Sequence, residues 1–485
     1  MDDFNIDVVA KKSIHGIATL ISRSFFVQIL SLLSNFVLTI ALDPAMIGVF
    51  FVASSINMFL SYFQDIGLAA VIIQQKDHPT KEELRTTFTI QQVLVFLIVI
   101  PVFLFSKQIG EVFHFSQEGL WVLYAYLFSF ILSSLKTIPT VLLERKLDFQ
   151  KLVIPQLVEN TVYSLALIIC ALKGFGINTF TIAILLRSIV GLPIIYMIQP
   201  WSIGFAYKKE IFKKLISHGS PFQGNSILAL VKDDLLNLYV ASVLPLAQVG
   251  YIGFGQKWAF QPLRLIMDNV IKVTFPSYSR LQHDREALRK VVEKSLFLIA
   301  FFIFPIVVGF IVFSPSLIDF IPGYQKWQPA VLALAFFSVN TLFASISVPL
   351  TNLLNAIGKV KITLRYMVGW TILAWILTPF FIRFFGYNGV PLASAIVAAS
   401  VLVILIPVKK QLSFSFLGSI SKQAVASIAL LIFSLIVRNF AVSLETTIIL
   451  IIISGAFYIF CMYLLAKQDV IQVVQFVLKT VKREK

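Results

Sequence analysis

The sequence predicts an all-α polytopic membrane protein of about fourteen transmembrane helices, and three observations predict it. The first is composition. Of 485 residues 58% are hydrophobic and 13% charged, and the mean hydropathy of +0.88 lies outside the range of an ordinary soluble domain. The second is a series of apolar runs, each near the roughly 20 residues that a bilayer crossing needs. They fall at about 17–41, 47–72, 87–106, 119–138, 152–172, 177–199, 219–243, 248–275, 295–313, 329–350, 364–382, 389–408, 420–438 and 446–466. The third is charge. Of the 40 Lys and Arg, with Arg365, Lys422 and Arg438 at run ends counted with the adjoining segments, 28 fall on inter-run segments that alternate strictly with segments holding 5, and the other 7 lie within runs. That alternation puts both termini on the cytoplasmic side. It also accounts for most of the net charge of +16 without any nucleic-acid partner.

Taken in order, the runs differ in character. The first carries Ser24, Gln28, Ser31, Asn35 and Thr39 at spacings of 4, 3, 4 and 4, with Arg23 at its cytoplasmic start. Such spacing lines one face of a helix. The second carries Asn57, Ser61 and Asp65 in the same way. The third, ninth, thirteenth and fourteenth are almost purely apolar and read as packing or lipid-facing helices. The fifth and sixth contribute Glu159 and Arg187, and the seventh Lys232, Asp233 and Asp234. On the eighth, Lys257, Gln261, Arg264, Asp268 and Lys272 repeat the 4, 3, 4, 4 spacing, while Phe260, Leu263, Leu265, Ile266, Val270 and Ile271 occupy the other faces. Charge within a span costs several kcal/mol per group, so it faces protein or trapped water. The expectation is a polar, net-cationic central cavity. Cys170 and Cys461 both fall within runs, so no disulfide framework is indicated. The tail places Val470, Val473, Val474, Val477 and Val481 on one side and ends Lys482-Arg483-Glu484-Lys485. It reads as an interfacial helix on anionic membrane lipids.

An internal repeat organises the chain. Leu42-Asp43-Pro44-Ala45-Met46-Ile47-Gly48 between the first two runs matches Leu244-Pro245-Leu246-Ala247-Gln248-Val249-Gly250 between the seventh and eighth, at an offset of 202. His15-Gly16 and His218-Gly219, and Asp65 and Asp268, match at 203. An even number of runs separates the copies, so the repeat is parallel, about an axis along the membrane normal. The expected organisation is an N-terminal lobe over 1–200, a C-terminal lobe over 201–410, two additional spans over 411–466 and a basic amphipathic tail over 467–485.

Four stretches carry a resemblance to oligosaccharide flippases of the Wzx type, in the superfamily that includes multidrug/toxin extruders and the lipid II flippase. They are Leu42-Asp43-Pro44 to Gly48; Asp65-Ile66-Gly67-Leu68-Ala69-Ala70 through Ile73-Gln74; Arg145-Lys146-Leu147-Asp148-Phe149; and Val249-Gly250-Tyr251 through Phe275-Pro276-Ser277 to Arg280-Leu281. The resemblance implies two six-helix lobes around the cavity plus two extra helices. It implies as cargo an oligosaccharide on a polyprenyl diphosphate of the undecaprenyl type, moved from the cytoplasmic to the outer leaflet of a bacterial inner membrane. It further implies coupling to a gradient of H+ or Na+, and work beside a polymerase and other polysaccharide-assembly proteins. No cofactor is expected. The Gly358-Lys359 pair lacks the upstream glycine of a phosphate-binding loop, so ATP hydrolysis is not indicated.

On that footing Arg23, Arg187, Lys232, Lys257, Gln261, Arg264 and Lys272 are candidates for holding diphosphate and sugar, since guanidinium and ammonium groups satisfy phosphate oxygens with charge-assisted bonds. The competing reading is internal pairing, for example Arg264 with Asp268, or Lys232 or Lys257 with an adjacent acid. Asp65, Asp233, Asp234 and Asp268 are candidates for ion coupling, with Asp65 equally suited to bracing the turn at Gly67. Neither metal-ligand spacing nor a nucleophile arrangement occurs, and no enzyme is expected. An extruder of cationic compounds would favour a cavity dominated by acids, whereas the runs here hold 7 bases against 5 acids. A membrane polymerase or ligase would need a large extracytoplasmic loop, and the longest here has about 15 residues.

Overall fold

Helices built on the apolar runs make up the chain. The structure, a computed structural model, describes residues 26–64, 68–75, 77–213, 228 and 230–483, and no strand occurs among them. The first half contains α1 (Phe26–Ala41), α2 (Pro44–Ser61), α3 (Leu68–Gln74), α4 (Lys81–Leu104), α5 (Ser106–Val112), α6 (Gln117–Leu135), α7 (Thr137–Arg145), α8 (Phe149–Leu172) and α9 (Asn178–Ile198). A π-turn at Leu230–Asp234 leads into α10 (Leu235–Val243). Then come α11 (Leu246–Arg280), α12 (Arg285–Phe320), α13 (Val331–Ala356), α14 (Val360–Phe385), α15 (Gly389–Ser400), α16 (Leu405–Gln411), α17 (Phe416–Val437) and α18 (Leu444–Arg483).

Ten stretches of the described residues are long and apolar enough to cross a membrane, which is consistent with the fourteen expected. The first and seventh expected runs are only partly described, α11 is too polar to qualify, and the eleventh and twelfth merge in Val360–Gln411. Outward faces are strongly apolar: Met197 is 80% exposed and Leu417 72%. Apolar exposure repeated on that scale suits lipid, not water. The protein is a multi-pass membrane protein.

By packing, the chain forms two compact units, residues 1–250 and 251–485. The first is centred on a core from α1, α2, α6, α8 and α9, including Leu38, Val49, Val122, Leu167 and Phe180. A second core joins α3, α4 and α7 through Leu68, Phe88 and Ile138. Residues 201–250 count with this unit, partly because the two copies of the repeat touch. A Cβ on Gly48 would lie 2.0 Å from the Leu246 carbonyl oxygen, and one on Gly250 would lie 1.9 Å from that of Pro44. The contact is reciprocal, because Pro44 and Leu246 are equivalent positions of the repeat. Only glycine lets the two backbones approach so closely.

Bends in the first unit have chemical causes. Between α6 and α7 the chain kinks at Lys136, where Pro139 has no N–H for the carbonyl of Leu135. The Tyr196 hydroxyl donates to that carbonyl at 2.9 Å. The Arg145-Lys146-Leu147-Asp148-Phe149 stretch is likewise a structural joint. The Arg145 guanidinium donates to the carbonyls of Ile72, Gln75 (2.8 Å) and Asp77 (2.9 Å), closing the end of α3. Leu147 takes a left-handed φ of 54°, and Asp148 accepts from the Lys151 N–H at the start of α8. Glu144, half-buried in the same joint, has its carboxyl pushed up by desolvation.

The second unit is organised on α12. One side packs Leu296 and Phe304 against Leu350 of α13 and Val408 of α16. Another packs Val312 and Phe313 against Leu430 of α17 and Met462 of α18. The proline device recurs here: Pro305 frees the carbonyl of Phe301, and the Tyr458 hydroxyl donates to it at 3.0 Å. The backbone of α18 breaks at Ala466 (φ −149°) before the basic tail, and Lys422 pairs with Asp469 at 3.0 Å just past that break.

The glycine crossing yields a prediction. Gly48→Ala must force the carbonyl of Leu246 away, and overpacking of this kind costs about 1–3 kcal/mol. Gly369→Ala on α14, where no atom lies within 4 Å of the new methyl, should be neutral or slightly stabilising. Thermal unfolding of the purified proteins in one detergent should separate the two variants in that order.

Candidate functional site

A charged cluster lies within the first unit, where the sequence places single polar residues on four helices. The kink at Lys136 turns its ammonium group toward α8, where it donates to Glu159 Oε1 at 2.8 Å. Arg187 of α9 approaches the other carboxylate oxygen, with Nε 3.9 Å from Oε2. Its guanidinium also lies over the Tyr163 ring, 5.4 Å from the centroid. The Lys136 and Glu159 side chains are largely withdrawn from solvent, 18% and 11% exposed. Gly191 makes room for the cluster: a Cβ there would sit 1.9 Å from Glu159 Oε1. The carboxylate therefore rests on bare helix backbone, one turn beyond Arg187.

Around the cluster is a cavity of about 260 Å³, lined by Asn57, Ser61, Gln64, Tyr126, Ser129, Phe130, Ser133, Lys136, Glu159, Tyr163, Ile184, Arg187 and Ser188. Two side-chain pairs brace its wall, Ser188 to Ser129 at 2.7 Å and Gln64 to Ser133 at 3.0 Å. Glu159 lies about 15 Å along α8 from its start, well inside the span.

Of the described binding candidates drawn from the sequence, Arg187 alone lies in this cavity. Asn57 and Ser61 join it as the helical spacing of the second run implies. Lys136, a base within a run, is the site residue that the sequence reading misses. A signal for it exists: a lone lysine next to a proline-bearing run, with one acid on the following helix. Lys232, Asp233 and Asp234 all lie on the π-turn, a local winding found often at functional sites. Lys232 pairs with Asp233 at 3.3 Å, and Tyr62 lies near Asp234.

In the second unit α11 is continuous over Leu246–Arg280, so Lys257, Gln261, Arg264 and Lys272 share one helical face. Lys257, Arg264 and Lys272 are exposed and Gln261 half-buried. The opposite face packs Leu263, Ile266, Met267, Val270 and Ile271 on Ile299, Ile303 and Val307 of α12. His15, Arg23, Asp65 and His218 lie outside the described residues, as do the side chains of Asp268 and of the tail from Gln472 onward. Among the described residues no group of three His, Cys, Asp or Glu could hold a metal ion.

The cluster yields a test of its energetics. Removing one partner of a buried ion pair costs about 3–5 kcal/mol, because the other charge is stranded, while removing both is far cheaper. Glu159→Leu, which strands both Lys136 and Arg187, should therefore lower the unfolding temperature more than Lys136→Met/Glu159→Leu does. Equal losses in the single and double variants would show that the two groups are not coupled.

Comparisons with known proteins follow the same lines. A family model described as polysaccharide biosynthesis protein matches residues 37–332. The chain is 25% identical over 353 residues to an uncharacterized membrane protein in the cps region of Klebsiella pneumoniae, covering 71% of each. It is 23% identical over 352 residues to the lipopolysaccharide biosynthesis protein WzxC of Escherichia coli K12, covering 70% of this chain and 69% of that one. Among solved structures the lipid II flippase MurJ, in an inward closed conformation, superposes with a TM-score of 0.75 over 92% of this chain and 99% of its own, at 17% identity. That likeness speaks to the fold.

Proposed function

The chain belongs to the polysaccharide biosynthesis protein family, and from that premise we propose that it is a flippase for lipid-linked oligosaccharide. It is a transporter and not an enzyme. Its cargo is an oligosaccharide unit on an undecaprenyl-type diphosphate, moved from the cytoplasmic to the outer leaflet of a bacterial inner membrane for polysaccharide assembly. The two termini are cytoplasmic. The six-plus-six-plus-two division of spans, with the lobe boundary near 200, belongs to the same proposal.

The observation that carries this reading is the cationic face of α11. Charges on a membrane span cannot face hydrocarbon, and the opposite face of this helix is already packed. Lys257, Arg264 and Lys272 therefore border water inside the membrane, where an anionic cargo group meets them. Arg264, midway along the face, supplies a planar fork that matches two phosphate oxygens at once, and Gln261 adds an amide. Lys232, on the π-turn, is a further candidate, held by Asp233 until cargo arrives. Arg23 remains a candidate on its place in the sequence alone.

Reorientation is driven by H+ or Na+, with Asp233 and Asp234 as the coupling pair and Asp65 and Asp268 as further candidates. Phosphate drawing Lys232 from Asp233 would free a carboxylate to take a cation. A polymerase and other assembly proteins are the expected partners.

Arg264→Ala should reduce flipping of a diphosphate-linked lipid in proteoliposomes about a hundredfold, the cost of two charge-assisted hydrogen bonds, at unchanged insertion. Arg264→Lys should recover part of the rate if charge alone matters and little if the fork is needed. Wild-type flipping by the alanine variant would remove Arg264 from the site.

Topology has its own check. In a variant without native cysteines, cysteine at the exposed positions 150 or 282 should resist an impermeant thiol reagent in intact cells. Labelling at both would reverse the proposed orientation.

A further inference from the structure

The proposed function uses the cations of α11 and the acids of the π-turn, and it leaves the cavity of the first unit without a task. That cavity is unusual in three ways. It holds two cations and one carboxylate in a span interior, so one positive charge there has no counter-ion among the described residues. Its wall is rich in hydroxyl groups and aromatic rings. Tyr126 and Tyr163 are among the residues that line it. Its volume of about 260 Å³ is below the roughly 300–1,000 Å³ of sites for drug-sized ligands, which leaves room for one sugar ring and not for a chain of them.

Structural need does not account for these features. A buried ion pair alone would be satisfied by Lys136 and Glu159 at 2.8 Å. Arg187 adds a second cation at the looser distance of 3.9 Å, with its guanidinium carbon 5.4 Å from the centroid of the Tyr163 ring. A guanidinium near a ring and only loosely paired still has N–H groups to offer a planar acceptor. An adjacent aromatic ring is the surface on which the C–H face of a sugar packs, and serines and amides around it match sugar hydroxyls.

We propose that this cavity is a subsite for a single anionic sugar, a uronate or similarly carboxylated ring of the cargo. Its carboxylate bridges Arg187 and Lys136 from the cavity side, which brings the site to two cations and two anions. Its hydroxyls bond to Ser129, Ser133 and the tyrosine hydroxyls. Glu159 is a positioning residue: it holds the two cations apart and oriented, and Gly191 lets it sit there. The inference rests on the flippase reading for the origin of the sugar. The chemistry of the cavity itself is independent of it.

The test uses purified full-length protein in detergent, without lipid-linked cargo, and reads ligand contact by saturation-transfer NMR. Three probes are compared: glucuronate, glucose and inorganic pyrophosphate. Glucuronate should bind about tenfold more tightly than glucose, as expected for one charge-assisted contact pair. Arg187→Gln should erase that preference while leaving weak binding of both sugars. Ser129→Leu, which fills the cavity and keeps all three charges, should abolish both sugar signals and covers the case in which Arg187→Gln does not fold. Equal binding of glucose and glucuronate by the wild type would overturn the proposal. So would pyrophosphate competing with glucuronate in a manner sensitive to Ser129→Leu, because the cavity would then be a phosphate site. If the protein binds glucuronate as stated yet moves no diphosphate-linked lipid, the flippase reading falls and the sugar subsite stands. If it moves the lipid but does not bind glucuronate, the subsite falls and the flippase reading stands.

Discussion

Hydrocarbon supplies no hydrogen bonds, and most of this structure follows from that constraint. Each proline within a helix frees a carbonyl four residues earlier, and in water a solvent molecule would take it. Here tyrosines do so in both units: Tyr196 at Leu135, and Tyr458 at Phe301. The bends are thereby stabilised as features of the fold. The first of them matters for chemistry, since it turns Lys136 toward Glu159 and so builds the charged cluster.

The same constraint sets what a charge in a span can do. Lys136 and Glu159 neutralise each other at hydrogen-bond distance, while Arg187 is shared more loosely between the carboxylate and the face of Tyr163. On α11 the solution differs. One face is committed to packing on α12, and the charges collect on the other, where water or an anionic cargo can meet them. In the proposed function a single helix thus serves as wall and as lining. Flippase chemistry needs that combination, because a diphosphate must cross the apolar layer without being stripped bare.

Glycine is used where backbone must touch something that a methyl would displace. At Gly48 and Gly250 it is another backbone, in a reciprocal contact between repeat-equivalent positions. At Gly191 it is a carboxylate. Both kinds of contact lie deep in the structure, and each ties a sequence feature with no periodicity to a specific neighbour.

By itself the sequence determined the class and most of the apolar runs that become helices, and it set the expectation for their alternation across the membrane and for the faces they present. These depend on local quantities: length, apolarity, 3.6-residue spacing and the placing of Lys and Arg. The basic face of α11 was legible for that reason, since five polar residues on one helix announce themselves. The repeat pointed to Gly48 and Gly250, though not to their meeting. What only the tertiary structure decided is which polar residues of different helices converge. Lys136, Glu159 and Arg187 are isolated in sequence, one to a run, with no spacing to join them. Arg145, which falls between two runs in the sequence, closes the end of α3 through three carbonyls. Each depends on how helices far apart in sequence pack and bend. Periodicity along one helix carries no information about the register of its neighbour, and a proline bend resets that register for every residue beyond it.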